Sequence, residues 1–323
     1  MNLRVFGKTG WKVSEVGYGM WGMGGWTGSN DEESLRSLYR AVELGCNFFD
    51  TAWAYGEGRS ERLLGQLIRA FPQRKLYAAT KIPPKNMKWP SKPEYSIKDT
   101  FPPEHIREYV EKSLRNLDVE TIDLFQFHVW DDSWGADKRW QQTIDDLKRQ
   151  KLIRAVGISI NRWEPENVLE TLRTGFVDAV QVIYNVFDQA PEDRLFPLCR
   201  ELEVAVIARV PFDEGTLTGT LTSESTWPKG DWRNTYFVAE NLKSSLEHAR
   251  LVKEILPQEM TMPEAALRFI LSNKDICTTI PGMRKLKNVE ANFAASETGR
   301  LDEGVLQLLR GQRWDRKPTT WSQ

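Results

Sequence analysis

The chain has 323 residues, of which 40% are hydrophobic, and its 44 basic and 45 acidic side chains leave a net charge of −1. That balance excludes a strongly basic nucleic-acid surface, and no apolar run approaches the ~18 residues of a membrane-spanning helix. The length suits one α/β barrel of about 250 residues with insertions, or two average domains.

Met1 to Val13 holds Lys8-Thr9-Gly10 between two short apolar pieces, which predicts an initial β-hairpin. Val16 to Trp21 is a short strand. Asn30 or Asp31 can cap a helix running to Leu44, with Gly45 as its stop. Asn47 to Thr51 is a second strand. It leads through Trp53, Tyr55 and Gly56 to a helix that starts near Ser60. Further strands are expected at Lys75–Ile82, Ile122–His128, Arg154–Ser159, Val177–Asn185, Val204–Pro211 and Ile276–Pro281. Helices are expected between them at Pro102–Leu117, with Thr100 a possible cap, and at Trp140–Leu152, Pro165–Thr174 and Arg194–Glu203. Helices over Leu242–Leu256, Pro263–Asn273 and Lys287–Ala295 complete the alternation.

Most of these strands are short continuous apolar runs, as parallel strands covered on both faces should be. Eight βα repeats predict a closed (β/α)8 TIM barrel, with the hairpin capping its bottom and extra helices at the C-terminus. One domain is expected over 1–323, with a hairpin cap at 1–13, a cofactor and substrate loop at 212–236 and an extension at 296–323. The stretches after the third and seventh strands, Pro83–Phe101 and Phe212–Tyr236, belong on the C-terminal face, where barrel enzymes keep their sites. Met1 to Trp11 lacks a signal-peptide core. Cys46, Cys199 and Cys277 read as reduced, mostly buried thiols of a cytoplasmic protein. His105, His128 and His248 are too scattered for a metal site. Neither nucleic acid nor membrane is expected as a partner, and no oligomeric state is legible.

In such a barrel, polar residues at strand C-termini converge: Asp50, Tyr55 just beyond it, Lys81, His128, Ser159, Gln181 and Arg209. Taken alone, Asp50 and Tyr55 also fit a helix cap and a half-buried ring. Together with Lys81 and His128 their chemistry interlocks. A phenol has a pKa of about 10, and a nearby ammonium favours its phenolate and lowers that value. An aspartate holds the lysine in place, and a histidine can orient a carbonyl oxygen. The set can protonate an alkoxide but supplies no hydride, so a redox cofactor is required.

These residues resemble those of the aldo-keto reductases, over nearly the whole chain. The likeness rests on Phe49-Asp50-Thr51-Ala52, Tyr55-Gly56, Ser60-Glu61 with Leu64-Gly65, Thr80-Lys81, and Asp123-Leu124 with His128. Val177-Asp178, Gln181, Tyr184-Asn185, Ile280-Pro281-Gly282, Arg284, Asn288-Val289 and Asn292 extend it. The resemblance implies NADPH-dependent reduction of a small aldehyde or ketone, with Tyr55 as general acid, Lys81 and Asp50 as its partners and His128 orienting the carbonyl. It further implies cofactor contacts from Gly19, Met20, Trp21 and Asp50, and carboxamide contacts from Ser159 and Gln181. Pro211, Phe212, Asp213, Gly215 and Leu217 would wrap the pyrophosphate, and Gly282, Arg284, Asn288 and Asn292 would hold the adenosine end. Cations at Arg284, Lys285 and Lys287, near a helix start, make sense if an anion binds there, which favours NADPH over NADH.

Three positions depart from the family's pattern. Ile160 separates Ser159 from Asn161, which shifts a carboxamide contact. Arg209 stands where an aromatic residue often lies under the nicotinamide, and its charge would disfavour the oxidised ring. Val129-Trp130-Asp131 follows His128 in place of Trp-Pro. Trp21, Trp26, Trp53, Trp89 and Trp130 sit in or near the first four strand-end loops, and about half are expected to be packing. Trp21, Trp53, Trp89 and Trp130 are taken as the substrate pocket, suited to a flat apolar carbonyl or the apolar face of a sugar. An alternative from another class is an NADPH-binding regulatory subunit with little turnover, similar to channel β-subunits. A barrel lyase is a third.

Overall fold

A computed structural model describes residues 1–26 and 28–322; Thr27, and Gln323 at the end of the expected extension, lie outside it. The hairpin forms as expected, β1 at Leu3–Phe6 antiparallel to β2 at Trp11–Ser14. Eight strands follow: β3 (Tyr18–Gly19), β4 (Phe48–Asp50), β5 (Tyr77–Ile82), β6 (Ile122–Phe127), β7 (Ile153–Ser159), β8 (Ala179–Ile183), β9 (Ala205–Arg209) and β10 (Thr278–Thr279). Each pairs in parallel with the next in chain order. Bridges from Val16 to Thr279 and from Gly19 to Gly282 join the two edges and close the barrel. A side chain at Gly19 would meet the Ile280 carbonyl oxygen at 2.5 Å, so the closure needs a glycine there.

Helices cover the outside because the intervening segments are amphipathic. Asn30 caps the first, Asp31–Glu43, its side chain accepting from the Glu33 amide, and Gly45 follows the end at φ +92°. Several helix boundaries shift by one to three residues from expectation, and two changes bear on the loops. Thr100 ends a short helical turn, Ile97–Thr100, and the long helix begins instead at Pro103. The expected helix from Pro165 is confined to Leu169–Arg173. Its first turn is displaced by a loop in which the Asn167 side chain accepts from the Asp132 amide.

The barrel interior has two layers. The lower is apolar: Phe48, Ala79, Leu124, Ala155, Ala179, Ala205 and Ile207, sealed from below by Phe6 and Val13 of the hairpin. Lys8 donates its amide to Glu203 O at 2.7 Å, which fixes the hairpin to the loop before β9. The upper layer, nearer the strand C-termini, is polar. Strand periodicity puts the two layers there, since inward positions recur every second residue.

Candidate active site

Asp50 ends β4 in register with Ala79, so the inward position two residues further along β5 places Lys81 diagonally beside it. Lys81 in turn pairs with Gln126, and Gln126 with Gly157. A side chain at Gly157 would stand 2.9 Å from Gln126 Cγ, so this glycine leaves the room that Gln126 occupies.

Lys81 is fully buried and uses all three of its protons. Its Nζ donates to Asp50 Oδ2 at 2.5 Å, to Thr51 O at 2.8 Å and to Tyr55 Oη at 3.4 Å. Asp50 Oδ1 accepts from Gln181 Nε2 at 2.8 Å and from Gln126 Nε2 at 3.1 Å. A buried ion pair persists only when its remaining hydrogen-bonding capacity is met, and the two glutamines meet that of Asp50. Burial opposes charge on Lys81, but Asp50 and then Tyr55 outweigh it and raise its pKa. The ammonium form therefore holds at neutral pH.

Tyr55 lies half-buried at the mouth, its ring centroid 5.7 Å from that of His128. Lys81 lowers the Tyr55 pKa as expected, but a larger influence opposes it. Burial is the largest influence and raises it, Lys81 pulls it down and Asp50 pushes it up, for a net rise above 10.0. The group is a phenol at neutral pH. Because Lys81 donates to its oxygen, the phenolic proton is free to point elsewhere. Burial, followed by the charges of Lys81 and Arg209, holds His128 well below 6.5, so it is a neutral imidazole, and its Nδ1 has no partner among the described residues.

A cavity of about 1110 Å³ opens above these groups. Asp50, Tyr55, His128 and Arg209 line its inner end, with Gly19, Met20 and Trp21 beside them. Pro211, Phe212 and Gly215 form another wall, and Gly282, Arg284 and Asn288 a third. Trp21 and Trp89 line it, as expected for a pocket. Trp53 and Trp130 do not. Trp53 packs edge-on against Tyr109 of the helix Pro103–Leu117, at 4.8 Å. Trp130 is fully buried and donates its indole N–H to Thr171 Oγ1 at 2.9 Å. Trp26 and Trp232 take the vacated roles: Trp26 stands edge-on to Tyr55 at 6.2 Å, and Trp232 meets Trp21 at 5.6 Å.

Other expected contacts lie behind the cavity wall. Ser159 and Gln181 are buried, and Gln181 commits its amide nitrogen to Asp50. Asn161 turns away, donating to Ser91 Oγ at 2.9 Å and Glu164 Oε2 at 2.8 Å. Asn292 and Leu217 are also buried outside the lining. Asp213 faces the C-terminal segment, where it and Asp188 accept from Arg316 Nη2 at 2.7 and 2.5 Å. The Arg316 guanidinium stacks between Trp163 and Trp314, at 4.7 and 4.6 Å.

That buried triad anchors the segment Asp213–Thr218, whose backbone is unusual. Val210, Asp213 and Glu214 have φ of +57°, +46° and +56°, and Gly215 +114°. Positive φ at a β-branched valine is strained, and such residues persist where surrounding contacts over-determine them. Arg316→Met is therefore expected to lower unfolding free energy by about 3–5 kcal/mol, because it strands two buried carboxylates. The check is thermal melting, where an unchanged Tm would mean the triad contributes nothing.

A model of the aldo/keto reductase family matches residues 15–311. The NADH-specific methylglyoxal reductase of Escherichia coli (strain K12) is 29% identical over 305 residues, covering 90% of this chain and 91% of the relative. The fission-yeast aldo-keto reductase yakc [NADP(+)], from Schizosaccharomyces pombe, is 28% identical over 304 residues, 92% of this chain and 87% of its own. The holo structure of the aldo-keto reductase AKR11C1 from Bacillus halodurans superposes with a TM-score of 0.78 at 25% identity, over 100% of both chains.

Proposed function

Because the chain belongs to the aldo/keto reductase family, we propose that it reduces a small aldehyde or ketone with NADPH, Tyr55 giving the proton. The observation that carries this reading is the run Asp50–Lys81–Tyr55, at 2.5 and 3.4 Å, beneath a cavity that also exposes a neutral His128. The residues present fit a dinucleotide. The cavity of about 1110 Å³ exceeds the roughly 300–1,000 Å³ of common small-ligand sites, leaving room for cofactor and substrate together. Gly19 and Gly282, which present no side chain, line it where a cofactor would cross the strand ends.

Bound NADPH would deliver hydride to the carbonyl carbon. The chain's own residues do the rest. His128 would donate its single N–H to the carbonyl oxygen. As negative charge develops on that oxygen, Tyr55 would pass it the phenolic proton. The Lys81 ammonium then sits against the phenolate, and Asp50 keeps the ammonium charged and fixed. Gln181, buried behind the cavity wall, holds Asp50 through its amide nitrogen. The segment Pro211–Leu217 would wrap the pyrophosphate.

The relatives are named for different cofactors, so the choice for this chain rests on its own lining. Arg284 and Lys285 line the cavity beside Asn288. Glu33 lines it too, and an acid there would suit a bare ribose 2′-hydroxyl. Two cations against one acid favour a 2′-phosphate. Arg284→Ala is expected to raise the KM for NADPH by about tenfold or more, from one lost charge-assisted contact, with little change for NADH. Equal effects on both cofactors would remove the basis for the NADPH assignment.

The reading is tested by following NADPH consumption over a panel of aldehydes and ketones and identifying the alcohol formed. Tight NADPH binding with every carbonyl inert would turn the reading into that of a regulatory subunit.

A further inference from the structure

Cations outnumber acids at the inner end of the cavity, and they differ in how they are balanced. Lys81 is paired with Asp50. Arg162, which also lines the cavity, is paired with Glu214 and lies over the Tyr236 ring at 5.0 Å. Arg209 has no carboxylate partner among the described residues. Its Nη2 donates to the Ile160 carbonyl at 3.0 Å, and its Nε is buried with no partner among the described residues. The acids nearest in influence, Glu214 and Asp188, are each bonded to other arginines, Arg162 and Arg316.

Arg209 is half-buried with its Nε fully enclosed, and an enclosed guanidinium nitrogen without an acid is costly unless a ligand brings the missing charge. Arg209 ends β9 and lines the same cavity as Tyr55 and His128. Burial and the neighbouring Arg162 pull its pKa down to about 10, the direction expected of a cation left uncompensated. It remains charged at neutral pH. A guanidinium fork matches a carboxylate by its edge, while its plane stays free to stack on a ring, so this role and the expected place beside the nicotinamide use different surfaces.

We infer that the substrate is an acidic carbonyl compound, whose carboxylate is received by Arg209 while its aldehyde or ketone lies against Tyr55 and His128. The inference rests on the reductase reading above and narrows its substrate class. Trp26 and Trp89, beside Tyr55 and His128, would cover the apolar part of such a molecule.

The test compares each acid with its neutral amide of nearly equal size: 4-carboxybenzaldehyde with 4-formylbenzamide, and succinic semialdehyde with 4-oxobutanamide. The parent protein is expected to favour the acid in kcat/KM by about tenfold to a hundredfold, the span of one charge-assisted hydrogen-bonded contact. Arg209→Gln should bring the acid-to-amide ratio close to one, and Arg209→Lys should leave it intermediate, because charge survives but the fork does not. Benzoate should bind the NADPH complex of the parent, by calorimetry, and not that of Arg209→Gln. If the parent reduces amides as well as acids, the substrate class is wrong while the reductase reading stands. If Arg209→Gln changes both members equally and weakens NADPH binding, the arginine serves the cofactor alone and the inference falls. If neither member of any pair is reduced and a wider carbonyl panel is also inert, the reductase reading fails and takes this one with it.

Discussion

Tyr55→Phe is expected to lose about 10²–10⁴-fold in kcat, the span of a single general acid, while binding NADPH about as tightly as the parent. The substitution removes one oxygen and keeps the ring that packs against Trp26 and His128. It takes from Lys81 one of three acceptors, the longest at 3.4 Å, and leaves Asp50 and Thr51 O in place. Stability should therefore move little, and the lost turnover cannot be ascribed to unfolding. Equilibrium titration of NADPH fluorescence beside steady-state rates separates the two. A variant that turns over at the parent rate would show that the proton comes from elsewhere.

Lys81→Met should affect both activity and stability. It leaves the Asp50 carboxylate almost wholly buried, with only the Gln126 and Gln181 amides to hold it. Breaking a buried pair on one side costs about 3–5 kcal/mol. At about 1.5 °C per kcal/mol for a chain of this size, that is a fall in Tm of roughly 4–7 °C. Adding Asp50→Asn should recover part of the loss, since no buried charge then remains unpaired, yet should restore no activity. Additive losses in the double variant would contradict the geometry of the pair.

Much of this arrangement could be read in the sequence, for reasons that also mark where reading stopped. The strands announced themselves as short apolar runs because both their faces are covered. Asp50, Lys81 and His128 stood out because ionisable groups at the ends of such runs are conspicuous. Gln126 did not, although it lies two residues before His128 and so shares its inward face; an amide inside an apolar strand carries no chemical signal until Asp50 is seen to need a donor. The tryptophans were the hardest. After a strand end, an indole can turn into the barrel mouth, as Trp89 does, or outward beneath the helices, as Trp130 does, and loop torsions that no periodicity reports decide which. Trp232 and Arg316 lie far along the chain from the residues they meet, Trp21 and Asp213, and only closure of the barrel brings them together. The pull of Lys81 on Tyr55 could be anticipated from the strand ends, but the larger opposing effect of burial could not.

The most direct test of the account is a single turnover. The protein, preloaded with one equivalent of NADPH, is mixed with excess carbonyl substrate, and the absorbance of the reduced nicotinamide is followed. The signal is expected to decay fully in the parent, with one alcohol formed per cofactor, and to decay at least ~10²-fold more slowly in Tyr55→Phe. Equal decay in both proteins, or a signal that persists in the parent with cofactor and carbonyl both bound, would contradict it.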